Sequence, residues 1–152
     1  MNGDARSAGF TLIEVLLSVG ILALITGMAT PVYIAFTQRN DLSIASQTIA
    51  AMLYRAEAYS RGAYYDTNWS VDFSNATNTV TLYAGTTFAS RDTTKDETYS
   101  IPDSLSESYT GDVSFTKLTG LPTSPPVPTI TLTSNNNDSG AITVNAKGVV
   151  DY

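Results

Sequence analysis

The chain has 152 residues, a formal net charge of −6, a sequence pI near 4.3, and neither cysteine nor histidine. That length suits one domain with its own core, and the acidity argues against general attraction to nucleic acid or anionic lipid. The missing residue types exclude disulfides, thiolate metal sites, Ser-His-Asp and Cys-His catalysis and the commonest zinc and iron ligand sets, so no enzyme activity, cofactor or metal is expected.

In chain order, a short polar segment leads into a long apolar one. Val15 to Gln38 holds no charged side chain, and from Phe10 onward the run reaches the roughly 20 apolar residues that a membrane-crossing helix requires. One acid, Glu14, interrupts its start. A charge at the centre of a membrane helix costs on the order of 2.5–3.5 kcal/mol, so a carboxylate within such a run calls for a function. Three readings of the run are open: a buried core helix, a secretory signal cut after Gly27-Met28-Ala29, and a retained membrane anchor with a short leader. Pro31 falls inside the extended helix, where it lacks a donor and crowds the carbonyl of Gly27, so a kink is expected there.

The third reading rests on Ala8-Gly9-Phe10-Thr11-Leu12-Ile13-Glu14. This stretch resembles the type IV pilin and pseudopilin leader, in which a short polar peptide ends in Gly before a cleavage point, Phe, and Glu at the fifth mature position. The resemblance implies a leader over residues 1–9, cleavage between Gly9 and Phe10 by a prepilin peptidase, and N-methylation of the new Phe10 amine. The base nearest the junction is Arg6, with Asp4 beside it, where this family usually carries Lys or Arg close to the Gly. No Lys or Arg follows Glu14 within twenty residues, but cleavage creates a cation, the α-amine of Phe10, with a reference pKa of about 7.7–8.0. By resemblance, Glu14 of an incoming subunit pairs with the Phe10 amine of its neighbour and sets assembly register. Glu14 as an interfacial carboxylate reaching water is the alternative. For Pro31 the resemblance implies a segment that loosens when subunits pack, and a static kink is the alternative.

Past Pro31 the apolar spacing becomes helical and one-sided. Leu42, Ala45, Ile49, Met52, Ala56, Tyr59 and Ala63 recur at steps of three and four, while Asp41, Gln47, Arg55 and Glu57 mostly fall elsewhere. This stripe predicts a core face, with a helix end near Arg61-Gly62 and Gly62 as C-cap.

After Gly62 the period changes to two. Trp69, Val71 and Phe73, the turn residues Ser74–Asn78, then Val80 and Leu82 predict a hairpin. Residues 85–112 are polar and predict a loop or a marginal strand. Val113 and Phe115 mark a further strand, residues 119–128 a Pro-rich connection, Ile130/Leu132 and Ile142/Val144 a second hairpin, and 149–152 a last short strand. The predicted fold class is α+β: a long N-terminal helix, membrane-spanning in its first half (10–36) and amphipathic in its second, on a small antiparallel β-sheet head spanning 37–152. The stretches "LYRAEAYSRGAYYDTNWSVDF", "VSFTKLTGLP" and "AITVNAKGVVDY" resemble the FimT/GspH-like minor pilins and H-type minor pseudopilins.

Other candidate sites carry less. Asp92, Asp96 and Glu97 lack the tight spacing of a calcium loop, and "NNNDSG" (135–140) is turn chemistry. Arg55 and Arg61 with Tyr64, Tyr65 and Trp69 offer cations and rings to a nucleic acid. The last strands, however, hold only Lys147 as a base beside Asp138 and Asp151, so core packing is the expected role of the rings. The Asn-x-Ser/Thr sequons at Asn68, Asn75 and Asn137 arise easily in so Asn/Ser/Thr-rich a chain.

The expected function is therefore a minor pilin-like subunit of a type IV pilus-like filament or type II secretion pseudopilus. The implied partners are prepilin peptidase, other pilins and the inner membrane, with the head on the periplasmic or extracellular side. The alternative is a membrane-tethered binding or adhesion module that does not polymerise.

Overall fold

The computed structural model describes residues 9–74, 77–124, 127 and 129–152, leaving aside the side chains of 28–31 and 74. The expected leader apart from Gly9, with Arg6 and Asp4, lies outside the described residues, as does the sequon residue Asn75. The chain divides into two compact units, one ending at Phe36 and the other running from Thr37 to Tyr152.

Helix α1 runs from Leu12 to Arg61 and passes through Pro31. The kink expected at Pro31 concerns a position whose side chain is outside the described residues. Within the first unit the helix presents apolar side chains on every face. Leu12, Ile13, Leu16, Leu17, Leu22 and Ile25 are all exposed. Its polar residues are satisfied locally: the Ser18 hydroxyl donates to the Glu14 carbonyl at 2.7 Å, and the Thr26 hydroxyl donates to the Leu22 carbonyl. These back-bonds let hydroxyls sit on an otherwise apolar helix.

The second unit contains the remainder of α1 and eight strands: β1 (Trp69–Ser74), β2 (Thr79–Ala84), β3 (Glu97–Ser100), β4 (Leu105–Glu107), β5 (Gly111–Phe115), β6 (Ile130–Ser134), β7 (Ser139–Val144) and β8 (Val150–Asp151). They form two four-stranded antiparallel sheets, ordered β3-β2-β1-β5 and β4-β6-β7-β8. Both expected hairpins form, with Val71 opposite Leu82 and Ile130 opposite Ile142. The polar stretch expected as a loop or marginal strand supplies β3 and β4. Each is short, pairs on one edge only, and places a residue in or beside the core, Ile101 after β3 and Leu105 within β4.

The predicted helical stripe is the core face. Ala45, Ile49, Met52 and Ala56 are buried, and Leu42 and Tyr59 pack against the cluster. Leu53 and Ala50 are also buried, so the buried face is wider than the stripe, because both sheets contribute their inner residues to one cluster. The outer face of β2 also departs from expectation. Thr81 and Tyr83 alternate with the inner residues yet are buried, because the segment after β2 folds back over them, stacking Phe88 edge-on against Tyr83 at 5.6 Å.

The helix ends as predicted at Arg61, but Gly62 is not the left-handed residue. That conformation falls on Ala63 (φ 49), followed by Tyr65 (φ 58) and Asp66 (φ 57) in a single 3₁₀ turn, Tyr64–Asp66. Left-handed backbone costs a non-glycine residue about 1–2 kcal/mol, so neighbouring contacts must hold it. Trp69 Nε1 donates to the Tyr64 carbonyl at 3.0 Å, Lys117 Nζ bonds Asp66 at 3.0 Å, and Tyr59 and Trp69 meet edge-on at 4.8 Å. One turn earlier, the buried Ser60 hydroxyl accepts from the Trp69 amide at 2.8 Å and donates to the Phe115 carbonyl at 3.0 Å, tying α1 to β1 and β5 together.

Candidate functional site: the helix start and its exposed apolar surface

Gly9 and Phe10 precede the helix and are exposed, Phe10 at 84%. Among the described residues, nothing lies within 4 Å of where a Gly9 side chain would stand. Thr11 starts the helix. Its carbonyl accepts from the amides of Glu14 at 3.1 Å and Val15 at 3.2 Å, and its hydroxyl accepts from the Glu14 amide at 3.3 Å. This is one half of a capping box, Thr-x-x-Glu, in which the hydroxyl satisfies an amide that the first helical turn leaves unpaired. Thr11 is the site residue that sequence reasoning missed, although the Thr11-Leu12-Ile13-Glu14 spacing carried the signal. The Glu14 carboxylate lies in the first turn, at the positive end of the helix dipole.

The expected site residues Gly9, Phe10 and Glu14 thus lie close together around Thr11, and Pro31 lies well along the same helix. Glu14 is the sole Asp, Glu, Lys or Arg between Gly9 and Gln38, on a helix long and apolar enough to cross a membrane. Uncovered in the isolated chain, this surface fits lipid or the matching helices of other subunits.

Residues 4–30 match the family described as the prokaryotic N-terminal methylation motif. Among solved structures, the chain is similar to the minor pseudopilin EpsH from the type 2 secretion system of Vibrio cholerae. The match has a TM-score of 0.55 and 11% identity, over 73% of this chain and 94% of that one. The chain carries this motif at its helix start and shares its fold with that pseudopilin. No curated protein sequence matches it. The motif and the fold support the pilin resemblance separately, one through the helix start and the other through the α+β architecture.

The remaining candidates in the pilin-like head have other occupations. The Asp92 carboxylate accepts from the Thr94 amide at 3.1 Å, Asp96 pairs with Arg91 at 2.7 Å, and Glu97 pairs with Arg55. The three acids thus turn to separate partners. Among the described residues, no three acids are placed to hold a metal ion. Arg61 is paired with Glu57, Lys117 with Asp66, and Lys95 with Asp92 while also lying over the Tyr65 ring at 4.3 Å. Trp69 is buried, and its ring contacts are with Tyr59, Tyr64 and Tyr65. The cations and the indole that a stacked base would need are already engaged.

Proposed function

We propose that this chain is a minor structural subunit of a type IV pilus-like filament or a type II secretion pseudopilus. In this reading it is held in the inner membrane by α1 until it assembles, with its head on the periplasmic or extracellular side. One observation carries the proposal: an exposed helix, apolar on every face, begins beside the Gly9–Phe10 bond and holds a single carboxylate in its first turn.

Hydrolysis of that bond by prepilin peptidase removes the leader and leaves a Phe10 α-amine, which is then methylated. The amine is largely protonated near neutral pH, given a reference value of about 7.7–8.0. Packed beside another subunit, it supplies the cation that Glu14 lacks along its own helix. In a low-dielectric helix bundle an unpaired charge is strongly destabilising, so subunits settle at the offset where amine and carboxylate meet. The head then keeps the second half of α1 covered while the first half remains available to neighbours.

Co-expression with a prepilin peptidase and intact mass measurement test the reading. The expected product begins at methylated Phe10. A mature chain beginning at Thr30 would restore the secretory signal and overturn the proposal.

A further inference from the structure

On the outer face of the first sheet, Asp72 of β1 stands directly opposite Asp112 of β5. Residues opposed in this way project from one face with Cβ atoms about 5 Å apart, a spacing at which like charges destabilise a sheet.

The surroundings offer little compensation. From β2, the fully buried Tyr83 is influenced by Ser70 and Asp112, but its hydroxyl forms no hydrogen bond among the described residues. From β4, Glu107 has both carboxylate oxygens buried without a hydrogen-bond partner among the described residues, and Tyr109, after β4, donates its hydroxyl to the Asp112 carbonyl at 3.2 Å. The base acting on Asp72 is Arg91, from the segment between β2 and β3. Its guanidinium is engaged by Asp96 at 2.7 Å and the Phe88 carbonyl at 2.7 Å, and it lies over the Phe88 ring. Asp112 also lines a cavity of about 280 Å³ together with Tyr109, Ser114 and Thr123.

We propose that Asp72 holds a proton in the folded head where it faces Asp112, and that its loss weakens the β1–β5 pairing, making the head less stable as pH rises toward neutral. Strand β5 is where the repulsion acts, because it lies at the edge of its sheet. Its other side has no full strand partner among the described residues and is held by the Phe115–Pro122 bridge and by the Thr123 amide and hydroxyl on the Ser114 carbonyl at 2.9 and 3.2 Å. Burial first, then the hydrogen bond and charge of Asp112, push Asp72 up from 3.8 to about 6, with Arg91 opposing. The folded state therefore binds the proton more tightly than the unfolded chain does. The resulting stability is complete below about 4 and is lost as pH rises through about 6.

Urea unfolding of the full chain in non-ionic detergent, followed by Trp69 fluorescence, tests this, since Trp69 pairs in register with Phe115 of β5. Between about pH 5 and about pH 7.5 the Asp72 contribution should lower the folding equilibrium constant several-fold. The ceiling over that window is about tenfold, because pH 5 lies only about one pH unit below the folded value of about 6, and partial solvation of the carboxyls lowers it further. Asp72→Asn should remove the Asp72 part of that dependence, leaving the part that Glu107 contributes, and raise the urea midpoint at the higher pH. A wild-type slope retained by Asp72→Asn would overturn the proposal. Amide hydrogen exchange of the wild type, corrected for intrinsic rates, gives a reading that needs no variant. Protection should fall with rising pH more in β5 than in β7, and equal behaviour of the two strands would overturn the proposal as well.

Discussion

A Cβ on Gly148 would lie 2.5 Å from the carbonyl oxygen of Gly120. The two glycines bring the segment after β5 against the turn between β7 and β8. Both meet the last turns of α1, where a Gly120 Cβ would reach Glu57 Oε1 at 2.9 Å and a Gly148 Cβ would reach Glu57 Cγ at 3.3 Å. Their φ values are +66 and +82, a conformation that side chains disfavour.

Gly148→Ala therefore combines left-handed strain with a clash against backbone that cannot rotate away. A loss of roughly 2–4 kcal/mol is expected in urea unfolding of the full chain in detergent. Gly62→Ala is the contrast. Gly62 has no left-handed φ, and the nearest obstacle to a side chain is the Ala58 carbonyl at 3.3 Å, so the change should stay within about 1 kcal/mol.

Ser60→Ala removes the hydroxyl that serves both the Trp69 amide and the Phe115 carbonyl. Two buried backbone groups then lose a partner, at about 1–3 kcal/mol for each left unsatisfied. The same unfolding assay should show the loss. A neutral result would mean that β1 and the end of β5 do not depend on the helix for their position.

Glu14 has two separable properties, its charge and its place at the third helical position of a capping box. Glu14→Leu should leave membrane insertion unchanged or improved and cleavage at Gly9 intact, yet abolish co-purification with sheared filaments. Glu14→Gln keeps a capping side chain and loses only the charge. If register comes from pairing with a neighbour's Phe10 amine, Gln should fail as Leu does. Incorporation of the Gln variant at wild-type levels would assign the residue to helix initiation instead.

Glu107 titrates in the same direction as Asp72. Burial, with the charge of Asp72 second, pushes it up from 4.5 to about 7. Its proton favours the folded state below about 4.5, and that contribution is lost as pH rises toward 7. Glu107→Gln should raise the urea midpoint at about pH 8 and remove the upper part of the pH dependence. A lowered midpoint at that pH would mean the carboxylate has a favourable partner when ionised.

Much of this protein was legible in order along the chain. The apolar run, its carboxylate and the Gly9–Phe10 junction are local features, so their reading needs no knowledge of distant residues. Both hairpins were visible for the same reason, since strand alternation and turn residues lie close together in sequence. The stripe from Leu42 to Tyr59 marked the core face because helical periodicity records which side is dry.

What the tertiary structure alone decided involves residues far apart. Strands β3 and β4 are polar and short, and they exist because β2 and β6 offer edges to pair with. Tyr83 is buried on what alternation marks as the outer face, because Phe88 folds over it and Arg91 in turn lies over Phe88. The left-handed turn falls on Ala63 rather than Gly62 because Trp69, Lys117 and the Ser60 hub fix where the chain must leave the helix. Local sequence determined that there would be a long apolar helix with one carboxylate near its start, followed by a β-rich head. The opposition of Asp72 to Asp112 and of Gly120 to Gly148 came only with the fold, because strand register and loop approach are set by packing that no local window contains.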